Sequence, residues 1–223
     1  MTTIRKLTFA NEEYYHIFNR GIERRNTFIN TREYRRALDL LSFYQYTDIP
    51  LRYSHFSVLD FDKKEKYLNA MIDSGKIIEV VAYCLMPNHF HLLLKQKKEV
   101  GIATYVANFV NAYTKYFNTK YQRTGPLFQG IFKAVYVETD EQLIHLTRYI
   151  HLNPVASSLI KPDALATYPY SSYGVYLQNT SSDLIEHDTI KSIRALVPDY
   201  ETFVRDQIAY AKELEKIKHL SFE

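Results

Sequence analysis

The chain has 223 residues, of which 46% are hydrophobic and 24% charged, with a formal net charge of +3. Those proportions fit a globular domain and exclude a disordered, collagenous or coiled-coil chain. No apolar run nears the roughly 20 residues a membrane span needs. The start MTTIRKLTFANEEYYH has no apolar export core, and Cys84 is the only cysteine, so a reducing cytoplasm is expected.

In chain order, residues 13–19 (EYYHIFN) are aromatic-rich and β-prone and end at Gly21, which predicts a first strand. Asn30 with Glu33 has the form of a capping box, and helical spacing at Ala37, Leu40, Leu41 and Tyr44 predicts a helix over 31–46, broken by Pro50. The stretch LRYSHFSVLDFD has no assignable period. Residues 63–73 predict a short helix stopped at Ser74-Gly75. Residues 76–85 (KIIEVVAYCL) and 89–95 (HFHLLLK) predict two strands joined by the Met86-Pro87-Asn88 turn, hence a hairpin. Val106, Phe109, Val110, Tyr113 and Phe117 predict a helix over 101–121. Residues 131–138 predict a strand, and Thr139 or Asp140 caps a helix running to Asn153, stopped by Pro154. Residues 155–180 are loop-rich, and two helices are expected at 187–196 and 199–218.

The order β-α-(α)-β-β-α-β-α describes an α+β protein, a ferredoxin-like split βαβ antiparallel sheet with one added helix. Residues 1–180 are expected to form the domain and 181–223 a helical C-terminal extension. Charge separates the two parts. From Ser181 onward nine acids and six bases leave −3, so residues 1–180 carry +6. Between Glu99 and Glu138 there is no acid, while Lys115, Lys120, Arg123 and Lys133 are interleaved with nine Tyr or Phe residues. Cations follow phosphates and open rings stack on unpaired bases, so this stretch is a candidate nucleic-acid surface. A helix with aromatic core positions and a solvated basic side explains the same pattern.

His89-Phe90-His91 lies in a predicted strand, where alternation puts both imidazoles on one face and Phe90 and Leu92 on the other. Two such imidazoles can share a divalent cation; alone, such a pair is more often structural. On the helix 141–153, Leu143, Leu146 and Ile150 form the expected core stripe, with His145, Tyr149 and Asn153 in line beside it at i, i+4, i+8.

The motifs VVAYCLMPNHFHLLLK, GPLFQGIFKAVYV, RYIHLNPV and YPYSSY, with YHIFNRG before them, run in this order over about residues 12–175. In this the sequence resembles the REP-associated tyrosine transposases, of the HUH single-tyrosine, insertion-sequence-type family. The resemblance implies the same ferredoxin-like fold. It implies that His89 and His91 bind a divalent cation (Mg²⁺ or Mn²⁺), that Tyr149 is the nucleophile, and that Asn153 is a third ligand or an orienting group. It also implies single-stranded or hairpin DNA as partner, cut through a 5′-phosphotyrosine and rejoined. Ile131 departs from the pattern, since relatives often carry Arg there.

The chemistry is coherent. A cation on two imidazoles polarises a phosphate oxygen, and a phosphotyrosine conserves the bond energy for rejoining. Neutral histidines are needed for ligation, so activity is expected to fall in acid. DNA phosphates are expected on Lys115, Lys120, Arg123 and Lys133, or against Arg20 with Arg24 and Arg25. The chain is expected to act as a monomer or homodimer. The rivals are an inactive hairpin-binding descendant of such an enzyme and a metal-dependent phosphodiesterase without a covalent step.

Overall fold

In the computed structural model residues 7–220 are described, with side chains as far as Leu214. Of the expected absence of an export core, residues 1–6 lie outside the described residues, as do the side chains of Glu215, Lys216, Lys218 and Glu223 in the acidic tail. Four strands form one sheet: β1 (Tyr14–Arg20), β2 (Ile78–Met86), β3 (His89–Gln96) and β4 (Lys133–Val137). Their order is β2-β3-β1-β4 and every neighbouring pair is antiparallel. That is the split βαβ arrangement expected from the element order.

One layer on the sheet contains α1 (Thr31–Phe43) and α4 (Gly101–Lys120), preceded in the chain by α2 (Tyr53–Phe56) and α3 (Phe61–Asp73). Packed on β2 and β3 is also α5 (Asp140–Ala156), the added helix. Phe90 meets Phe109 of α4 edge-on at 5.4 Å, whereas His91 meets Tyr149 of α5 at 5.6 Å. Adjacent residues of β3 therefore face opposite layers, so α4 and α5 cover opposite faces. The rest of the chain forms α6 (Tyr173–Tyr176), α7 (His187–Leu196), α8 (Tyr200–Arg205) and α9 (Ile208–Leu220). Among the described residues no helix is long and apolar enough to cross a membrane.

Several boundaries differ from the sequence reading. The α1 helix ends at Phe43, and Tyr46 leaves it to bridge Lys76 before β2. The unassigned LRYSHF stretch forms α2, closed by the Phe56 amide on the Arg52 carbonyl. Pro154 lies inside α5, three residues beyond which Ser157 caps the helix. A proline removes one helical rung, and burial of Pro154 and Val155 in the core offsets that loss. The buried stripe of α5 runs through Leu143, Thr147, Ile150, His151 and Pro154, while Leu146 is only half-buried. The shift has a cause in the tail: Tyr200, which opens α8, hydrogen-bonds both His151 and Thr147, so the covered arc is turned toward them. The single tail helix expected over 199–218 is two helices, divided at Asp206-Gln207.

The tail is joined to the sheet. Ile185 bridges Val80, Lys76 pairs with Glu186 at 3.0 Å, and Leu184, Ile190, Ile193, Tyr200 and Val204 belong to the buried core.

The capping box at Asn30 is present in full: Arg32 N donates to Asn30 Oδ1 and Asn30 N donates to Glu33 Oε2. Glu33 is completely buried. Its other oxygen takes the Lys120 ammonium and, at 3.0 Å, the Tyr121 hydroxyl. Burial alone would raise this carboxyl, but the Lys120 and Tyr121 hydrogen bonds outweigh it and hold the group below its usual 4.5. A lowered folded-state value contributes stability above the unfolded value and loses it as pH falls through the folded one. Glu33→Gln is therefore expected to cost about 1–3 kcal/mol at neutral pH. The gap to the native chain should narrow in acid below about pH 4.5. Denaturant melts of both proteins across that range are the check.

Candidate active site

The antiparallel register sets Arg20 opposite His89 and Phe18 opposite His91 at one end of the sheet. Gly21 ends β1 there. Its amide donates to the Asn88 carbonyl, and a Cβ at this position would lie 2.4 Å from the Arg25 carbonyl oxygen. The Asn-Arg-Gly turn thus needs glycine for close backbone approach. Above this end, on the α5 side, is a pocket of about 250 Å³. Its lining includes His89, His91, Tyr149, Asn153, Arg20 and Lys133.

The imidazoles of His89 and His91 have ring centroids 5.0 Å apart. Each ring is held through one nitrogen. His89 Nδ1 lies 2.6 Å from Asn88 Oδ1, a bond in which the ring N–H donates. Asn88 is itself fixed by donating to the Arg24 carbonyl. His91 Nδ1 lies 2.9 Å from Nε2 of His16 on β1. Outer hydrogen bonds of this kind fix ring orientation and tautomer, and present the opposite nitrogen for chemistry. Burial pushes His16 down to about 4. Burial, and then the charge of Arg20, does the same to His89. Both rings are neutral at neutral pH.

Tyr149 is 39% exposed, and its ring stands edge-on to both His16 and His91, at 5.9 and 5.6 Å. One turn on, Asn153 Nδ2 donates to the Tyr149 carbonyl at 2.9 Å. Behind this helix is a closed polar chain. His151 is fully buried, with Nδ1 2.8 Å from the Tyr200 hydroxyl and Nε2 2.8 Å from Ser172 Oγ. The Tyr200 hydroxyl donates to Thr147 Oγ1, and the Tyr83 amide donates to Ser172 Oγ. Burial drives His151 down to about 3, so it stays neutral. Side chains of α5, the loop before α6 and the tail together fix how Tyr149 is presented.

The other residues singled out by sequence are elsewhere. His145, in line with Tyr149 on α5, pairs instead with Arg148 at 2.7 Å and does not line the pocket. Tyr113 is buried in the α4 layer, donating to the Thr27 carbonyl, and Tyr116 lies beside Glu33. Of the basic residues, Arg20 and Lys133 meet the pocket. Lys115, Lys120 and Arg123 belong to the opposite layer. Expected on a phosphate, Lys120 instead neutralises buried Glu33. Arg123 donates to Asn118 Oδ1 and lies over the Phe117 ring. The acid-free stretch is thus divided between two faces, because α4 and β4 belong to different layers. Exposed Ile131 is at the pocket rim, with Lys133 two residues on supplying a cation to the same lining.

Sequence reasoning missed His16, Asn88 and the His151–Tyr200 pair. His16 and Asn88 sit inside YHIFNRG and MPNHFH, and two-residue alternation along β1 could have put His16 on the face of Arg20. Nothing in the sequence connects Tyr200 with His151.

Among the described residues, no three His, Cys, Asp or Glu side chains converge as a metal cage. Any cation here would rest on two imidazoles and an amide.

Residues 52–153 match the family described as IS200-like transposase. The fold is similar to that of a REP-associated tyrosine transposase solved bound to a REP hairpin. The TM-score is 0.52 at 14% identity, over 83% of this chain and 94% of that one. The crystal structure of a Deinococcus radiodurans R1 protein aligns at TM-score 0.36 and 16% identity, over 67% of this chain and 95% of that one. None of the curated proteins compared matches. The first structure bears out the ferredoxin-like fold.

His16→Phe keeps an aromatic ring on β1 but removes the partner of His91 Nδ1. The fold should persist and the His91 ring should lose its single tautomer. Ring ¹⁵N chemical shifts are the check; an unchanged His91 spectrum would mean that His16 does not hold it.

Proposed function

We propose that this chain, whose residues 52–153 fall within the IS200-like transposase family, nicks and rejoins single-stranded DNA next to hairpins through a covalent phosphotyrosine. The observation that carries the reading is the meeting of Tyr149 with His89, His91, Arg20 and Lys133 in one pocket. A solved structure of similar fold was obtained with a REP hairpin bound, which supports hairpin DNA as the partner class.

Arg20 and Lys133 hold the scissile phosphate by charge. The Tyr149 oxygen attacks phosphorus and its proton passes to water. The bond from phosphorus to the 3′ oxygen breaks, and that oxygen takes up a proton to leave a 3′-OH. The 5′-phosphate stays esterified to Tyr149 until a 3′-OH attacks it in the reverse step, returning the phenol. His89, His91 and Asn153 would hold a divalent cation such as Mg²⁺ or Mn²⁺. The donor set fits, because each imidazole has one nitrogen already engaged by Asn88 or His16. Asn153 Oδ1 adds a hard oxygen to them. When bound, the cation supplies Lewis-acid polarisation of a non-bridging phosphate oxygen. Asn153 also ties its amide to the backbone of Tyr149, so the same side chain links the ligand set to the nucleophile. In this proposal residues 1–180 carry the reaction and 181–223 form a helical extension that braces α5.

Tyr149→Phe should abolish the protein–DNA adduct on a denaturing gel while hairpin binding and melting temperature stay unchanged. The same adduct in that variant would remove Tyr149 from its role. His89→Ala, His91→Ala or EDTA should stop cleavage without releasing DNA, and His16→Phe should weaken Mn²⁺ binding about 10–100-fold. Full cleavage in EDTA would exclude the cation.

A further inference from the structure

β1 leaves the sheet through a turn with an unusual backbone. Glu23 and Arg24 follow one another at φ 56°, both in the left-handed region. L residues enter that region singly and at a steric cost, and glycine is the residue that takes it freely. Neither position is glycine. Strain of this kind persists only where the surrounding structure over-determines it, and it collects at active sites.

The contacts that hold the turn come from two other parts of the chain. On one side the Gly21 amide donates to the Asn88 carbonyl, and Thr27 and Phe28 both donate to the Pro87 carbonyl. On the other the Ile22 amide donates to the Leu127 carbonyl and the Gln129 amide to the Arg20 carbonyl, with Gly21 bridging Phe128. Within the turn, the Arg24 amide donates to the Gly21 carbonyl at 3.1 Å and the Arg25 amide to the Ile22 carbonyl at 3.0 Å. The NRG, MPN and LFQ segments thus close on this one turn.

Toward the histidines the turn presents a single acceptor. The Arg24 carbonyl receives Asn88 Nδ2 at 3.2 Å, and Oδ1 of the same amide lies 2.6 Å from His89 Nδ1. A carbonyl can only accept, so Arg24 settles which way the Asn88 amide is turned. With its nitrogen toward Arg24, its oxygen faces His89, and the imidazole proton is on Nδ1. Turned over, the amide would set its NH₂ against Nδ1, and the proton would move to Nε2, the nitrogen a ligand needs. The Arg24 side chain is exposed and does not line the pocket, so the residue acts on the site through its backbone.

We propose that Asn88 is a positioning residue for His89 and that the left-handed turn at Glu23–Arg24 is its anchor: the Arg24 carbonyl orients the Asn88 amide, the amide holds His89 protonated on Nδ1, and Nε2 is left to the pocket. The use of Nε2 as a ligand rests on the proposed function above; the tautomer does not. The test uses the full chain, read by ring ¹⁵N shifts of the metal-free protein and by Mn²⁺ titration. Native His89 should show one neutral tautomer with its proton on Nδ1. Asn88→Ala should give mixed tautomers and weaken Mn²⁺ binding about 10–100-fold, the range for outer partners of a ligating histidine. Arg24→Gly and Arg24→Pro remove the same charge and differ in backbone. Glycine keeps the left-handed turn, so the His89 spectrum and Mn²⁺ affinity should stay native. Proline fixes φ at about −65° and displaces the carbonyl, so it should reproduce the Asn88→Ala effect from outside the pocket. Arg24→Val, whose branched side chain disfavours positive φ, takes its place if the proline variant does not fold. Native His89 protonated on Nε2, or an Asn88→Ala variant with unchanged spectrum and affinity, overturns the positioning role. A folded proline or valine variant with a native His89 overturns the anchor. A native chain that shows the Nδ1 tautomer and the expected variant shifts, yet forms no adduct with hairpin DNA, would sink the nicking reading and leave the positioning role standing. An adduct formed by a chain whose His89 is protonated on Nε2 would sink the positioning role alone.

Discussion

β3 has to serve two opposite chemistries with a period of two residues, and the rest of the molecule is arranged around that demand. Phe90, Leu92 and Leu94 are fully buried, with Phe90 directed at Phe109 and Phe128 on the α4 side. His89 and His91, interleaved with them, face Tyr149. A slip of one residue in register would bury both imidazoles in the apolar layer and expose the phenyl ring. The neighbouring strands prevent that slip, since β1 and β2 pair with β3 along its length and both flanks are closed. Apolar packing on one face is thus what fixes the imidazoles on the other.

Polar groups then complete what apolar packing cannot. A tyrosine on a surface-facing helix is useful for chemistry only if the helix cannot roll. The chain Ser172–His151–Tyr200–Thr147 prevents that by hydrogen bonds that are short and fully buried. Every member has a partner, the condition under which a buried polar network rigidifies rather than weakens a core. The tail contributes Tyr200 to this network and Ile185 to the edge of β2. Among its described residues Asp183, Asp188, Asp199, Glu201, Asp206 and Glu213 are exposed, while Leu184, Ile190, Ile193, Tyr200 and Val204 point inward.

The two faces of the sheet handle charge differently. The pocket over β3 sets His89, kept neutral by burial, and His91 beside Arg20 and Lys133, a combination able to attract a phosphate. The α1–α4 layer hides one carboxylate, Glu33, and spends Lys120 on it. The remaining cations of that layer face solvent along an open groove. Interleaved cations and rings read from the sequence as one surface, whereas in space the Tyr53 and Tyr116 rings clamp Arg36 and the cations form a separate wall.

The sequence alone determined the strand and helix order, and hence the antiparallel split βαβ sheet, because periods of two and 3.6 residues are local properties. It also determined that His89 and His91 share a face and that Tyr149 and Asn153 follow one another along a helix. Local pattern even gave the capping box at Asn30. Contacts between residues far apart in the chain were decided only by tertiary structure. The His16–His91 pair spans 75 positions and the His151–Tyr200 pair 49. The same holds for Lys120, whose charge reads as available until Glu33, 87 residues earlier, is found buried against it. Pro154 reads as a helix stop because its missing donor is a local fact, while the burial that keeps the helix going is not. A period in the sequence sets which way a side chain points, and only packing sets what it meets there.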